Sequence, residues 1–267
     1  TLTEDVSLLG DQFTGKASPS LYWCVIGESN RGDYCGTFDG GNKTVKNMRA
    51  GASGAVDMQA GFIGDAWSAR VMNLHVQGSS GAYANNGATS SSGLVVGRLT
   101  GGTISGCTSA GTVTGTSGST SNAYAGGIVG SLQGTMENCT STAAVSSKTD
   151  STSTTNASGG LAGLATSSGS ATTIKGCMSS GTAKDESGLL GSGAAGGVVG
   201  VIGGDGKVTV QDCAAAGTVT ATLFSGGIVG YTYGTVENCY NTGSLSAKQD
   251  RTTNKGIGGI AGQIHAP

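Results

Sequence analysis

The chain is 267 residues long, with 51 glycines but only two prolines; charged residues make up 11%, aromatic residues 5%, and the formal net charge is −2. Low proline without a three-residue glycine period excludes collagen, and 36% hydrophobic residues with so little charge exclude a disordered chain. The slight acidity argues against nucleic-acid binding, and no apolar run reaches the ~18 residues of a membrane-spanning helix.

Residues 1–35 do not repeat and are expected to cap the structure, with Val6 and Leu8 in one short strand and 21–26 in another. Cys24 and Cys35 bracket a loop within this cap. They either form a disulfide, which would suit an extracellular protein, or add two thiols to the core of the first coil. The loop holds Arg31-Gly32-Asp33, a turn tripeptide that offers a cation and a carboxylate as integrin ligands do, although three residues also recur by chance.

A five-residue block then recurs, as AGFIG at 60–64, GLVVG at 93–97, GGIVG at 126–130, GGLAG at 159–163, GGVVG at 196–200, GGIVG at 226–230 and GGIAG at 258–262. Steps of 30 to 37 residues mark a solenoid or array. A second block runs from TVKNM (44–48) and RVMNL (70–74) through TISGC (103–107), TMENC (135–139), TIKGC (173–177) and TVQDC (209–213) to TVENC (235–239). A third short segment ends at Val113, Val145, Ala183, Val219 and Leu245 in successive units. No stretch has a helical period, so each unit reads as three short strands. Residues 36–267 are therefore expected to form one continuous all-β domain. The fold expected is a right-handed parallel β-helix (solenoid) of about eight coils with three short strands per coil, roughly 35–40 Å long.

The second block shows which side chains point inward. Its second position is Val45, Val71, Ile104, Met136, Ile174, Val210 or Val236, and its fifth is Met48, Leu74, then Cys107, Cys139, Cys177, Cys213 and Cys239. Positions three apart fall on opposite faces of a straight strand. Just before the fifth stand Asn47, Asn73, Gly106, Asn138, Gly176, Asp212 and Asn238, residue types that tolerate a left-handed backbone. One such residue per coil would make a bend that turns both apolar neighbours inward. The five cysteines then form an inward ladder of small buried thiols, too similarly directed for disulfides. The glycine closing the first block, from Gly64 to Gly262, marks either a turn or a close approach to the next coil. Polar inserts at 79–92, 114–125, 146–158, 184–195 and 246–257 share one phase and are expected as loops along one edge.

Repeats such as GGIVGYTYGTVENCYNTGSLSA (226–247) resemble the GLUG motif of bacterial surface proteins. The stretch 5–48, with WCVIG and YCGTFDGGNKTVKNM, resembles the segment that introduces such repeats. The resemblance implies secretion and display on a bacterial cell surface, in adhesin-like proteins and beside the catalytic domains of immunoglobulin-A proteases. It carries over no catalytic or ligand residue.

Catalytic chemistry finds little to work with. Glycoside hydrolysis needs two carboxylates about 5–9.5 Å apart, whereas Glu137 and Glu237 share a column but stand three coils, about 14 Å, apart. His75 and His265 lie in no catalytic motif, and Asp205 in GGDG resembles a calcium-binding turn that occurs once. The chain is thus expected to be no enzyme and to use no cofactor or metal. It reads as an adhesin-like module whose loops contact a host-surface glycan or protein. A passive stalk projecting a catalytic domain such as a protease is the alternative, and a polysaccharide-active β-helix enzyme a third reading. Tyr231, Tyr233 and Tyr240 on one coil are either sugar-stacking faces or plain packing. The sequence stops partway through a unit, which would leave an open sheet edge for a neighbouring domain to stack on.

Overall fold

Each repeat closes one turn of a coil because its short strands find their hydrogen-bond partners in the equivalent strands of the units before and after. The computed structural model describes residues 1–8, 23, 25–27, 32–51, 59–84, 88–118, 120–149, 155–187, 192–247 and 256–265. One turn runs through Thr155–Gly159, Ala162–Ala165, Thr172–Lys175, Met178–Ser179 and Ala183–Asp185. Ala157 pairs with Tyr124 below and Ala194 above, and Ile174 with Met136 and Val210. Among the described residues every ladder is parallel, apart from an isolated antiparallel bridge between Ser168 and Ser170. The all-β parallel solenoid read from the repeats is the observed fold, with no helix among the described residues.

Three details differ from expectation. A turn contains five short strands where three were expected, because the first block straddles a corner between Thr155–Gly159, in a seven-stranded sheet, and Ala162–Ala165, in the larger one, and because the bend at Gly176 divides Thr172–Lys175 from Met178–Ser179. The seven strands of that sheet mark seven levels, hence about six turns and not eight, about 29 Å of stacked height. The N-terminal segment adds pairings to the first levels, Val6 to Val45 and the bridges Ile26–Ile63 and Tyr34–Ala66. Finally, the polar inserts are largely strand. Asn122–Gly126 and Thr155–Gly159 lie in or overlap segments read as loops. Their small polar residues carry no hydrophobic signal, and stacking on equivalent strands sets their conformation. The connectors that remain at this edge, 85–87, 119, 150–154, 188–191 and 248–255, lie outside the described residues.

The interior is a file of vertical apolar columns. Phe62, Val95, Ile128, Leu161, Val198 and Ile228 are buried in one, and Val71, Ile104, Met136, Ile174 and Val210 in another. At the N-terminal end Trp23 stacks on Phe62 (5.1 Å between centroids), Phe38 meets it edge-on (5.1 Å), and Trp23 Nε1 donates to the Phe62 carbonyl at 2.9 Å. At the other end the first of these columns ends in the exposed Ile260, and Ile257 and Ile264, stacked on Ser225 and Thr232, are exposed beside it.

A polar seam interrupts the apolar interior. Asn156 Oδ1 accepts from the Ala123 amide (2.8 Å) and the Ser117 hydroxyl (3.3 Å), while its Nδ2 donates to Ser187 Oγ (3.1 Å). The fully buried Asp185 carboxylate accepts from the Ser187 hydroxyl (2.5 Å), the Ser187 amide (3.2 Å) and the Thr222 amide (3.1 Å). Burial outweighs these donors and raises the Asp185 carboxyl above its ordinary value.

Candidate ligand-binding face

The bend inferred from the second block is present at every level. Backbone φ is 60° at Asn47, 52° at Asn73, 60° at Gly106, 54° at Asn138, 62° at Gly176, 54° at Asp212 and 52° at Asn238. The bend residue's amide is spent across levels, as Asn138 N donates to the Lys175 carbonyl at 3.0 Å. The bend brings Cys107, Cys139, Cys177 and Cys213 into the core, with Cys239 half-buried at the last levels. Each sulfur points back to its own strand and to the level below: Cys177 Sγ donates to the carbonyls of Lys175 (3.2 Å) and Met136 (3.8 Å), and Cys213 Sγ to Gln211 (3.1 Å) and Ile174 (3.7 Å). Hydrogen bonding along the file splits it: neighbouring thiols and burial hold Cys139 and Cys213 above the usual thiol range, the Cys139 contact holds Cys107 and Cys177 below it, and burial raises Cys239. Buried from Cys107 to Cys213, these are packing thiols with little access for a reagent.

In the N-terminal segment, Cys35 is exposed and its Sγ donates to the Asp33 carbonyl at 3.6 Å. Cys24 and Arg31 lie outside the described residues, so of the tripeptide only Gly32 and Asp33 are placed. The first-block glycines resolve as close approaches, and to the preceding level: a Cβ on Gly163 would stand 2.5 Å from Ala125 N and 2.8 Å from Gly130 O. Glu137, Lys175, Gln211 and Glu237 pair in sequence, which keeps the two glutamates three levels apart. Asp205 accepts from the Ser167 hydroxyl and the Lys207 amide (3.3 Å) and pairs with Lys207 Nζ at 3.2 Å. No group of three or more acidic, cysteine or histidine side chains suited to a metal exists among the described residues.

Chemistry concentrates on the outer face beside the first corner. The strand leaving that corner points alternate residues outward, and stacking converts them into a column from Asp65 and Arg98 through Ser131 and Leu164 to Val201, Tyr231 and Gln263. The facing column, across the corner, includes Tyr124, Ala157, Ala194 and Phe224. The groove between them changes character along its length. At low levels the buried Asp65 carboxylate takes Arg98 Nε at 2.9 Å and a second contact from Nη2, which raises the Arg98 guanidinium above its ordinary value. At high levels it becomes an aromatic trough of about 470 Å³ walled by Tyr124, Leu164, Phe224, Tyr231, Tyr233 and His265.

The trough is internally braced. Phe224 and Tyr231 lie 5.5 Å apart, Tyr231 and Tyr233 5.3 Å, and His265 is 5.2 Å from both tyrosines. Tyr231 Oη donates to Tyr233 Oη at 2.8 Å. Burial pushes the Tyr124 phenol to about 12, and burial with the Tyr233 contact takes Tyr231 to about 12. Both are neutral hydrogen-bonding groups at any physiological pH. Gln263 Nε2 lies 3.3 Å from His265 Nε2, while its Oε1 is buried with no protein partner. Tyr231 and Tyr233 thus come together as their spacing indicated. Tyr240 stands exposed elsewhere, packed into no trough. Tyr124 and Phe224 escaped sequence reasoning because their column is otherwise small or polar, Leu164 because its column mixes apolar, polar and charged residues, and His265 was read only as lying in no catalytic motif.

A parallel β-solenoid built from short glycine-cornered repeats, with an aromatic trough on its outer wall, is the class of protein these observations define. Two stretches, residues 121–146 and 225–246, match the family model of the GLUG motif. The fold is similar to a Bacteroides ovatus crystal structure described as a "putative immunoglobulin A1 protease", with a TM-score of 0.69 and 23% identity over 99% of this chain and 76% of that one. That similarity establishes the shared fold. No curated protein matches the sequence.

Proposed function

We propose that this chain is a non-catalytic binding module of a protein secreted by, or displayed on, a bacterial cell, and that its aromatic trough takes a host-surface glycan or protein. The observation that carries the reading is the trough itself: an open recess of about 470 Å³ walled by aromatic faces, with the paired phenols of Tyr231 and Tyr233 at its side. Such a recess offers apolar area for stacking and polar tips for orientation. The GLUG-motif matches and the likeness to the Bacteroides ovatus structure support an extracellular setting. The separation of Glu137 from Glu237 supports a role without hydrolysis. No helix among the described residues is long and apolar enough to cross a membrane.

The test is a glycan array together with immobilised host-matrix proteins, probed with the chain and with Tyr231→Ala. Binding that the substitution weakens supports the module. A second reading, a passive stalk, draws on the continuous core and on Ile257, Ile260 and Ile264, exposed at the C-terminal level where a neighbouring domain would stack. Silence of the chain on every ligand would favour the stalk.

A further inference from the structure

A second recess, of about 440 Å³, opens on the same outer wall at lower levels. Its wall is the next outward column, in which Trp67 pairs with Thr100 and Thr100 with Gln133. The segment after Ala165 folds over beside it and contributes Ser168 and Ser170. Trp67 is 54% exposed, whereas Trp23, the other tryptophan, is packed on Phe62. Its indole face is available to a ligand seated in the recess.

The lining is chemically selective. No charged side chain contributes to it, so neither an anion nor a cation finds a counter-charge. The Gln133 amide and the hydroxyls of Thr100, Ser168 and Ser170 make no hydrogen bond to the described residues, leaving neutral donors and acceptors free around the indole. Thr172 is different: its hydroxyl accepts from Gly134 N at 3.0 Å and donates to the Thr166 carbonyl at 2.7 Å, bracing the rim. An extended peptide cannot add here as a strand, because the backbone of Trp67, Thr100 and Gln133 is already consumed in parallel ladders. A flat apolar face within a rim of uncharged hydrogen-bonding groups is the complement of a pyranose ring, which carries C–H bonds on its faces and hydroxyls at its edge.

We propose that this recess binds a neutral oligosaccharide, with a sugar ring stacked on Trp67 and its hydroxyls held by Gln133, Thr100, Ser168 and Ser170. The site is independent of the aromatic trough and stands or falls separately from it. The test titrates the whole chain with cellohexaose, maltohexaose, mannohexaose and N-acetyllactosamine, with a heparin hexasaccharide as charged control. Calorimetry and tryptophan emission are the readouts. At least one neutral sugar is expected to bind saturably and shift the emission. Trp67→Ala should weaken it about tenfold or more and abolish the shift, while Trp67→Tyr keeps most of the affinity. Gln133→Ala should weaken it severalfold. Binding of no neutral sugar, binding of heparin alone, or binding indifferent to Trp67→Ala would overturn the proposal. Failure of the trough shows instead in the Tyr231→Ala array.

Discussion

Gly163→Ala isolates what the first-block glycine does. A backbone turn and a close approach both select glycine, but they respond differently to a methyl group. Gly163 has no left-handed φ, so an alanine there would be unstrained in open space and would stabilise the fold by ~0.4–1 kcal/mol through the unfolded chain. Space is what the position lacks. The new Cβ would sit 2.5 Å from Ala125 N, 2.9 Å from Ala125 O and 2.8 Å from Gly130 O, against ordinary contacts of about 3.5–4.0 Å. All three are backbone atoms of the level below and give way only by moving a ladder. We therefore expect a cost at the top of the overpacking range, about 3 kcal/mol, which lowers the melting temperature by roughly 6–12 °C. The control is Gly169→Ala, at φ 83° with nothing within 4 Å, where left-handed strain of ~1–2 kcal/mol is the whole effect. Circular dichroism melts and urea titrations of the two variants decide. A Gly163→Ala protein as stable as the parent, or less perturbed than Gly169→Ala, would refute the close-approach account.

Three further outcomes follow from the same geometry. Asn138→Gly should be nearly neutral in urea unfolding, since glycine fills this bend at 106 and 176, while Asn138→Val should cost about 2 kcal/mol because valine resists a φ of 54°. A thiol reagent should label Cys35 promptly in the native protein, and Cys107, Cys139, Cys177 and Cys213 only on unfolding; mass mapping of the labelled peptides reads this directly. Asp185 has a carboxyl raised by burial in the folded state. Its stabilising contribution is complete below the unfolded value and is lost as pH rises through the folded one. Asp185→Asn places an amide N–H against the Ser187 or Thr222 donors and removes the titration, so the parent should gain stability relative to the variant as pH is lowered from 7 toward ~4. A parent that loses ground to the variant on acidification would contradict the assignment.

Vertical columns were readable because they impose hard restrictions on residue type. Only asparagine, glycine and aspartate stand at the bend, and all seven adopt the left-handed backbone their chemistry permits. Strand limits were less visible. A segment such as TNASG (155–159) offers neither alternation nor β-branched bulk, and it is a strand because two equivalent strands flank it. The outer face was hidden for a related reason. Tyr124 and Phe224 are the aromatic exceptions in a column that holds alanine at 157 and 194, so no repeat-wide signal marks them. Trp67 belongs to neither repeated block, and only the assembled wall shows that it faces solvent beside a neutral recess.

Register also gives the molecule a natural unit of growth. Gly126 and Gly159 occupy the same place one level apart, so excising 127–159 would join Gly126 to Gly160 and bring together levels that already fit one another. Gene duplication or deletion can thus lengthen or shorten such a protein by whole steps of ~4.8 Å without redesigning any contact. The two recesses share the levels that carry Tyr124 with Gln133 and Leu164 with Thr172, so losing or copying either of those units would rebuild both at once.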